Sequence, residues 1–338
     1  MTPVSAHPRQ VLLDAQAAVP VLPVCDHYSG VEQRMRKSLQ LQQEMAQEFG
    51  HCVFDVTLDC EDGAPVGAER AHAELVARLA LQAAPGARVA ARVHTVDHPA
   101  FVADVDTIAG QAGQRLCHLM VPKVESVDDV LRAERALDAA GARQLPLHVL
   151  IESSAAVHRA FEIAAHPRVQ SLSFGLMDFV SAHGGAIPAS AMGSDGQFEH
   201  PLVVRAKLEI AAACHAHGKV PSHCVVTEFN DADALQAAAT RAARQFGYTR
   251  MWSIHPAQIR PILAAFAPAA QEVSQAARIL AAAQAAQWAP ISDGGVLHDR
   301  ASYRYYWQVL ERAHQTGQAL PPAAQVWFSD AATMAPSA

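Results

Sequence analysis

What this chain of 338 residues lacks narrows its function before any motif is read. No uninterrupted apolar run approaches the ~20 residues that a membrane-spanning helix needs. The apolar stretch from Val11 to Val24 is interrupted by Asp14 and Gln16. It has neither a basic start nor a small-residue cleavage site, so it does not read as a secretory signal. Basic residues are scarce, 26 Lys plus Arg against 33 Asp plus Glu, for a formal net charge of −7. With no basic run, zinc-finger spacing or interleaving of basic and aromatic residues, nucleic acid is not expected as a partner. The six cysteines (Cys25, Cys52, Cys60, Cys117, Cys214 and Cys224) include no CxxC pair, and several sit inside apolar runs. They read as small core residues in a reducing, cytoplasmic setting and not as a disulfide framework. Also absent are an internal repeat, a low-complexity tract and a Gly-x-Gly-x-x-Gly turn after the first strand candidate; the missing turn weakens a dinucleotide-binding fold.

What is present is apolar and regularly interrupted. Hydrophobic residues make up 51% of the chain, enough for one large core. Short apolar runs recur at Val19–Val24, Val53–Leu58, Val89–Val93, Cys117–Val121, Leu147–Ile151, Leu172–Phe174, Cys224–Val226 and Met251–Ile254. None alternates cleanly, the pattern of strands buried on both faces. Alanine-rich, helix-favouring stretches lie between them: Val31–Phe49, Ala68–Leu81, a segment opening at Ser126 with Asp128 and Asp129 at its positive end, and Pro201–His217 closed by Gly218. Eight strands alternating with helices point to an α/β fold, a TIM (β/α)8 barrel. The barrel is expected over 19–268, after an N-terminal extension over 1–18. Pro256–Phe266 reads as its last helix, followed by a break at Pro268. Helices over Glu272–Gln287 and Arg300–His314 flank a polar Ser292-Asp293-Gly294-Gly295 stretch. The piece over 269–320 is too small for a core of its own and is expected to pack on the barrel or on a neighbouring subunit, with a mobile tail over 321–338.

Chemistry in such a barrel sits where strands end. Strand two ends in Asp59-Cys60-Glu61-Asp62-Gly63 and strand three carries Arg92, then Val93 and His94. Strand four ends in Pro122-Lys123-Val124-Glu125 and strand five in Ile151-Glu152-Ser153. Strand six runs into Phe174-Gly175-Leu176-Met177-Asp178, and strand eight ends in Ile254-His255-Pro256. Charges at one end of so many buried strands are costly unless paired or bound. Glu152 and Asp178, carboxylates on adjacent strands, are what Mg2+ or Mn2+ takes as oxygen ligands. Taken singly, Asp178 reads equally well as a helix cap. His255, before proline, reads as a cap or supporting donor; His215 and His217 as surface residues near a helix C-terminus; Lys123 as an ion-pair partner at the barrel mouth; Tyr303, Tyr305, Tyr306 and Trp307 as packing or interface. The segment from Gly184 to Glu199 is longer than a plain βα loop and is expected to shape the pocket.

These motifs together, in order from Val53 to His314, resemble the citrate lyase beta-subunit-like branch of the HpcH/HpaI aldolase superfamily, which includes malyl-CoA and citramalyl-CoA lyases. The resemblance implies a TIM barrel, a bound Mg2+ and a carbon–carbon lyase. In it, Glu152 and Asp178 fall on metal ligands, Arg92 on the substrate arginine, and Glu61 and Asp62 on the acidic pair supporting the metal's water shell. Gly295-Val296-Leu297-His298-Asp299 falls on a C-terminal lid whose aspartate, Asp299, reaches a neighbouring subunit's site as proton donor or acceptor, in a homotrimer or hexamer. The substrates implied are an acyl-CoA and a 2-oxo acid. Three positions depart from the family pattern. The Val19–Asp26 run lacks the opening arginine and glycine, Glu69 stands where a lysine is usual, and His94 stands where asparagine is common. Three readings follow: a Mg2+-dependent lyase of a short β-hydroxyacyl-CoA thioester, a metal-dependent aldolase of free 4-hydroxy-2-oxo acids, and a subunit dependent on an acyl carrier partner.

Overall fold

The computed structural model describes residues 7–13 and 21–329. Eight parallel strands close into a barrel in sequence order, β1 pairing with both β2 and β8. They are β1 (Cys25–Ser29), β2 (Phe54–Asp59), β3 (Val89–Arg92), β4 (Leu116–Val121), β5 (Leu147–Ile151), β6 (Val169–Phe174), β7 (Val220–His223) and β8 (Arg250–Ser253). The helices of this unit are α2 (Glu32–Phe49), α3 (Glu69–Gln82), α4 (Phe101–Ala112), α5 (Val127–Ala139), α6 (Ser154–His158), α7 (Ala160–Ala165), α8 (Leu176–Ser181), α9 (Pro201–Ala216), α10 (Ala232–Gln245) and the start of α11 (Ile259–Phe266); α1 (Pro8–Leu13) precedes the barrel in the chain. Local chemistry sets their ends. Ser126 and Asp129 form a reciprocal capping box on α5, Pro201 opens α9, and Gly50 closes α2 in the left-handed region at φ 76°. Among the described residues no helix is long and apolar enough to cross a membrane.

Two strands are displaced from the sequence reading. The first is Cys25–Ser29 and not Val19–Val24, of which Val19 and Pro20 lie outside the described residues; the seventh is Val220–His223 and not Cys224–Val226. Both true strands carry buried polar side chains with partners of their own: Asp26 meets Arg250, His27 meets Ser253 and Ser38, and His223 meets Lys207. At the floor, Arg250 bridges two buried carboxylates, 2.9 Å from Asp26 and 2.6 Å from Asp55. Arg88 donates to Asp55 at 2.5 Å and Thr57 to Asp26 at 2.7 Å. The His118 and His148 rings stack 3.5 Å apart beside them. Above lies an apolar layer of Met120, Leu150 and Trp252, with Tyr28 packed against it.

The chain divides into two compact units, Pro23–Ala265 and a second comprising the described residues before it together with 266–329. The second has its own core, contrary to the expectation from its size. To that core the N-terminal α1 adds Leu12 and Leu13, which pack with Ile279 and Leu280 of α12 (Ala270–Ala285) and Tyr303, Trp307 and Leu310 of α13 (Arg300–Gln315). Arg9 pairs with Glu311, and Arg304 donates to the Leu12 carbonyl. The strands β9 (Ile291–Asp293) and β10 (Val296–His298) form a hairpin. Over the described part of the segment expected to be mobile, 321–329, the chain forms α14 (Pro322–Gln325) and buries Trp327 against Trp307; the rest lies outside the described residues.

Candidate active site

The strand-end charges converge at the C-terminal mouth of the barrel. Asp59, the last residue of β2, anchors them. Its two carboxylate oxygens accept Arg92 Nε and Nη2 at 2.6 Å each, and also the backbone N–H groups of Glu61 and Gly63. One buried carboxylate thus aligns the guanidinium and folds the acidic loop behind it, a bidentate geometry only arginine offers. Arg92 Nη1 also lies 3.0 Å from Glu61 Oε2. Burial opposes the Arg92 charge, but Asp59 and Glu61 outweigh it and hold the group protonated. The guanidinium rests 5.0 Å from the Tyr28 ring and 5.8 Å from Trp252. Lys123, in the left-handed region at φ 51°, reaches Glu61 at 2.5 Å, Asp62 at 3.4 Å and Asp178 at 3.8 Å. It is the mouth ion pair expected of it.

Glu152 is the exception in this paired company. It is 4% exposed, and neither carboxylate oxygen has a hydrogen-bond partner. Burial first, then the neighbouring Asp178 and Glu61 charges, push its carboxyl well above the usual range. Its side chain lies over Gly175, where an added Cβ would come within 2.4 Å of Glu152 Cγ, so the turn into α8 must be glycine. Asp178 follows in the first turn of α8. It makes no cap hydrogen bond, because Gly175 occupies the N-cap position. A buried carboxylate without a partner, beside a half-exposed second one, offers the oxygen donors that a hard cation takes. These residues fit a divalent magnesium-type ion.

The floor offers another donor set: ligand atoms of Asp26, His118 and His148 lie within 4.8 Å of one another. There Arg250 already sits 2.9 Å from Asp26. Asp26 and Asp55 are balanced by Arg250 and Arg88, so a further divalent charge would be buried uncompensated. The floor reads as scaffold.

Two cavities open at the mouth. The smaller, about 210 Å³, is lined by Arg92, Asp62, Gly175, Asp178, Tyr28 and Trp252 among others. The larger, about 610 Å³, lies over the ends of β1 and β8 and is lined by Tyr28, Gly30, Arg34, Lys37, Phe229 and His255 among others. Gly30 directly follows the true first strand. A Cβ there would meet the Gly63 carbonyl at 2.1 Å, so the loops after β1 and β2 touch only because it is absent. His255 caps the following turn, accepting from Ala257 N. His94 is tied to Asp104 at 2.6 Å as a loop anchor. The long segment after α8 reaches the smaller cavity's wall through Gln197, which accepts from Cys224 Sγ at 3.2 Å and from the buried Lys207 at 2.7 Å.

Of the six site residues read from sequence, Arg92, Glu61, Asp62, Glu152 and Asp178 come together here. Asp299 belongs to the second unit, where it caps α13 through Ala301 and Ser302. Sequence reasoning missed the clamp Asp59, the cradle Gly175 and the aromatic Tyr28. The first two sit inside motifs already quoted; Tyr28 was hidden by the misplaced first strand.

The sequence model of the HpcH/HpaI aldolase/citrate lyase family matches residues 38–256. An L-malyl-CoA/beta-methylmalyl-CoA lyase of Cereibacter sphaeroides is 34% identical over 248 residues, 69% of this chain and 77% of that protein. The crystal structure of a citrate lyase from Burkholderia xenovorans is 50% identical, covers 96% of this chain and 99% of that one, and superposes with a TM-score of 0.78. CitE of Mycobacterium tuberculosis in complex with magnesium, acetoacetate and coenzyme A shares the fold at 22% identity, with a TM-score of 0.63 over 87% of this chain and 98% of that one.

Proposed function

As a member of the HpcH/HpaI aldolase/citrate lyase family the chain is a carbon–carbon lyase, and we propose that it splits a short β-hydroxyacyl-CoA thioester into an acyl-CoA and a 2-oxo acid, or joins the two. The observation that carries this reading is Glu152, buried with both oxygens unpartnered, beside Asp178. These two residues would hold Mg2+, or Mn2+ on the same oxygen donors. The ion supplies Lewis-acid charge stabilisation to the oxo-acid half.

The chain's own residues do the rest. Asp59 and Glu61 hold Arg92 on Nε, Nη1 and Nη2, which leaves N–H directions on both terminal nitrogens for a substrate oxygen. A donor fixed before the reaction costs no reorganisation as negative charge develops. Glu61 and Asp62, held by Lys123, would offer acceptors to the water ligands of an ion bound there. The larger cavity suits the CoA arm, with Arg34 and Lys37 as cations for its phosphates. Cleavage generates a carbanion at the acyl α-carbon, which needs a positioned acid. We assign this to Asp299 from a second copy, in a homotrimer or hexamer. In support, its hairpin exposes Val296 and Leu297, and its Oδ1 alone accepts the α13 cap bonds. The six unpaired cysteines support a cytoplasmic location. A thioester on an acyl carrier partner would use the same chemistry.

Isothermal titration calorimetry with Mg2+ present, adding acetyl-CoA, propionyl-CoA, glyoxylate and pyruvate in turn, tests the reading. Binding of an acyl-CoA together with an oxo acid is expected. Binding of the oxo acid alone would move the protein to free acids or carrier-bound substrates, and absence of any Mg2+-dependent binding would remove the site.

A further inference from the structure

We infer that Tyr28 sets the size of the acyl half, confining it to an acyl group without an α-substituent; this rests on the thioester-lyase reading above. The bond made or broken joins the acyl α-carbon to the carbonyl carbon of the oxo acid. The thioester arm belongs to the larger cavity and the oxo acid to the smaller, so the reacting carbons meet where the cavities meet. Among the described residues, Tyr28 is the one that lines both. It sits late in β1, paired with Thr57, and its ring is wedged between two fixed groups. The Arg92 guanidinium, clamped on Asp59 at 2.6 Å, stands 5.0 Å from the ring centroid, and Trp252 packs at 5.1 Å with the planes tilted by 52°. Trp252 is itself tethered by its indole N–H to Ser173 Oγ at 3.1 Å. Tyr28 therefore cannot swing aside without losing the cation–π contact and the aromatic packing together. A bulky ring that cannot retreat removes the space an α-methyl group would need.

The test compares kcat/KM for acetyl-CoA and propionyl-CoA condensing with the same 2-oxo acid, on the full chain with Mg2+. The wild type is expected to favour acetyl-CoA. One methylene in a pocket is worth roughly 10–200-fold, so Tyr28→Ala is expected to raise the propionyl:acetyl ratio by about tenfold or more. Tyr28→Phe, which keeps the ring, is expected to leave the ratio within about twofold. Tyr28→Leu serves if the alanine variant does not fold. An active wild type whose ratio is unmoved by Ala and Leu, or is moved as much by Phe, overturns the inference alone. A wild type inert towards both thioesters overturns the lyase reading and this inference with it.

Discussion

At the floor of the barrel Asp26 and Asp55 are as deeply buried as Glu152 is at the mouth, yet only the mouth carboxylate is left without a partner. The floor carboxylates are ion-paired to Arg250 and Arg88, and those arginines pull the Asp55 carboxyl below its usual range despite the opposing effect of burial. The floor imidazoles are held neutral, His118 lowered to about 3 chiefly by burial. The mouth keeps its cations elsewhere: Arg92 is committed to Asp59, and Lys123 to Glu61. Donor types alone would have chosen the floor as the metal centre, since it has two histidines and two aspartates in reach. Charge balance favours the mouth, where the proposed site lies. A buried charge whose counter-ion is covalently part of the fold is scaffold; one whose counter-ion is missing from the fold is prepared for a ligand.

Three variants would break or sharpen that contrast. Glu152→Gln is expected to cost roughly a thousandfold in kcat/KM, about 4 kcal/mol of transition-state stabilisation, and to abolish the Mg2+-induced rise in Tm. In metal-free buffer the same variant should be no less stable than wild type in a urea titration, since it replaces a buried carboxyl that has no partner. A clear loss of stability there would mean that Glu152 has a partner in the fold after all. Arg250→Met should do the opposite. It strands Asp26 and Asp55 and is expected to cost about 3–5 kcal/mol of stability by urea unfolding. The fraction that folds should keep its Mg2+ affinity by calorimetry; a lost affinity would show that the two ends are coupled.

The smallest expected effect concerns Lys207, a buried cation whose partners are the neutral Gln197 and His223. Burial lowers its pKa to about 8 from 10.5. Between those values the unfolded chain holds a proton that the folded chain has released, so wild-type stability rises with pH across that window. The rise is at most about 1.4 kcal/mol per pH unit, and the cost of the charge is fully present below the window. Lys207→Met is expected to flatten that slope when the two proteins' unfolding free energies are subtracted. An unchanged slope would show that Lys207 is compensated like the floor arginines.

Legibility in the sequence followed polarity. Strands β2 to β6 and β8 were readable because each keeps enough apolar residues to stand out from the helical stretches around it, although Asp55, His118, His148 and Arg250 on them form the polar floor. Cys25-Asp26-His27-Tyr28-Ser29 and Val220-Pro221-Ser222-His223 were not, because they are mostly polar, and more apolar neighbours, Val19–Val24 and Cys224–Val226, looked better by composition. Placing the first strand too early also hid Gly30 and Tyr28. Glu152, Asp178, Arg92, Glu61 and Asp62 were legible because each ends a buried strand or begins the loop after it, where a charge needs a reason. Asp59 was not singled out, since a strand-end aspartate shows its role only when all its acceptor directions are seen to be used.

The order of elements, the strand-end position of the charged residues and the glycine turns are local properties, carried by periodicity and residue type, and the sequence by itself determined them. Which carboxylate remains unpaired is not local. It depends on where arginines from other strands arrive once the barrel closes: Arg250 of β8 meets Asp26 of β1 and Asp55 of β2 only because β8 lies beside β1. The core of the small C-terminal helices likewise takes in Leu12 and Leu13 of α1, from the other end of the chain. Closure and long-range packing assign the counter-ions and the apolar partners, and only tertiary structure could decide them.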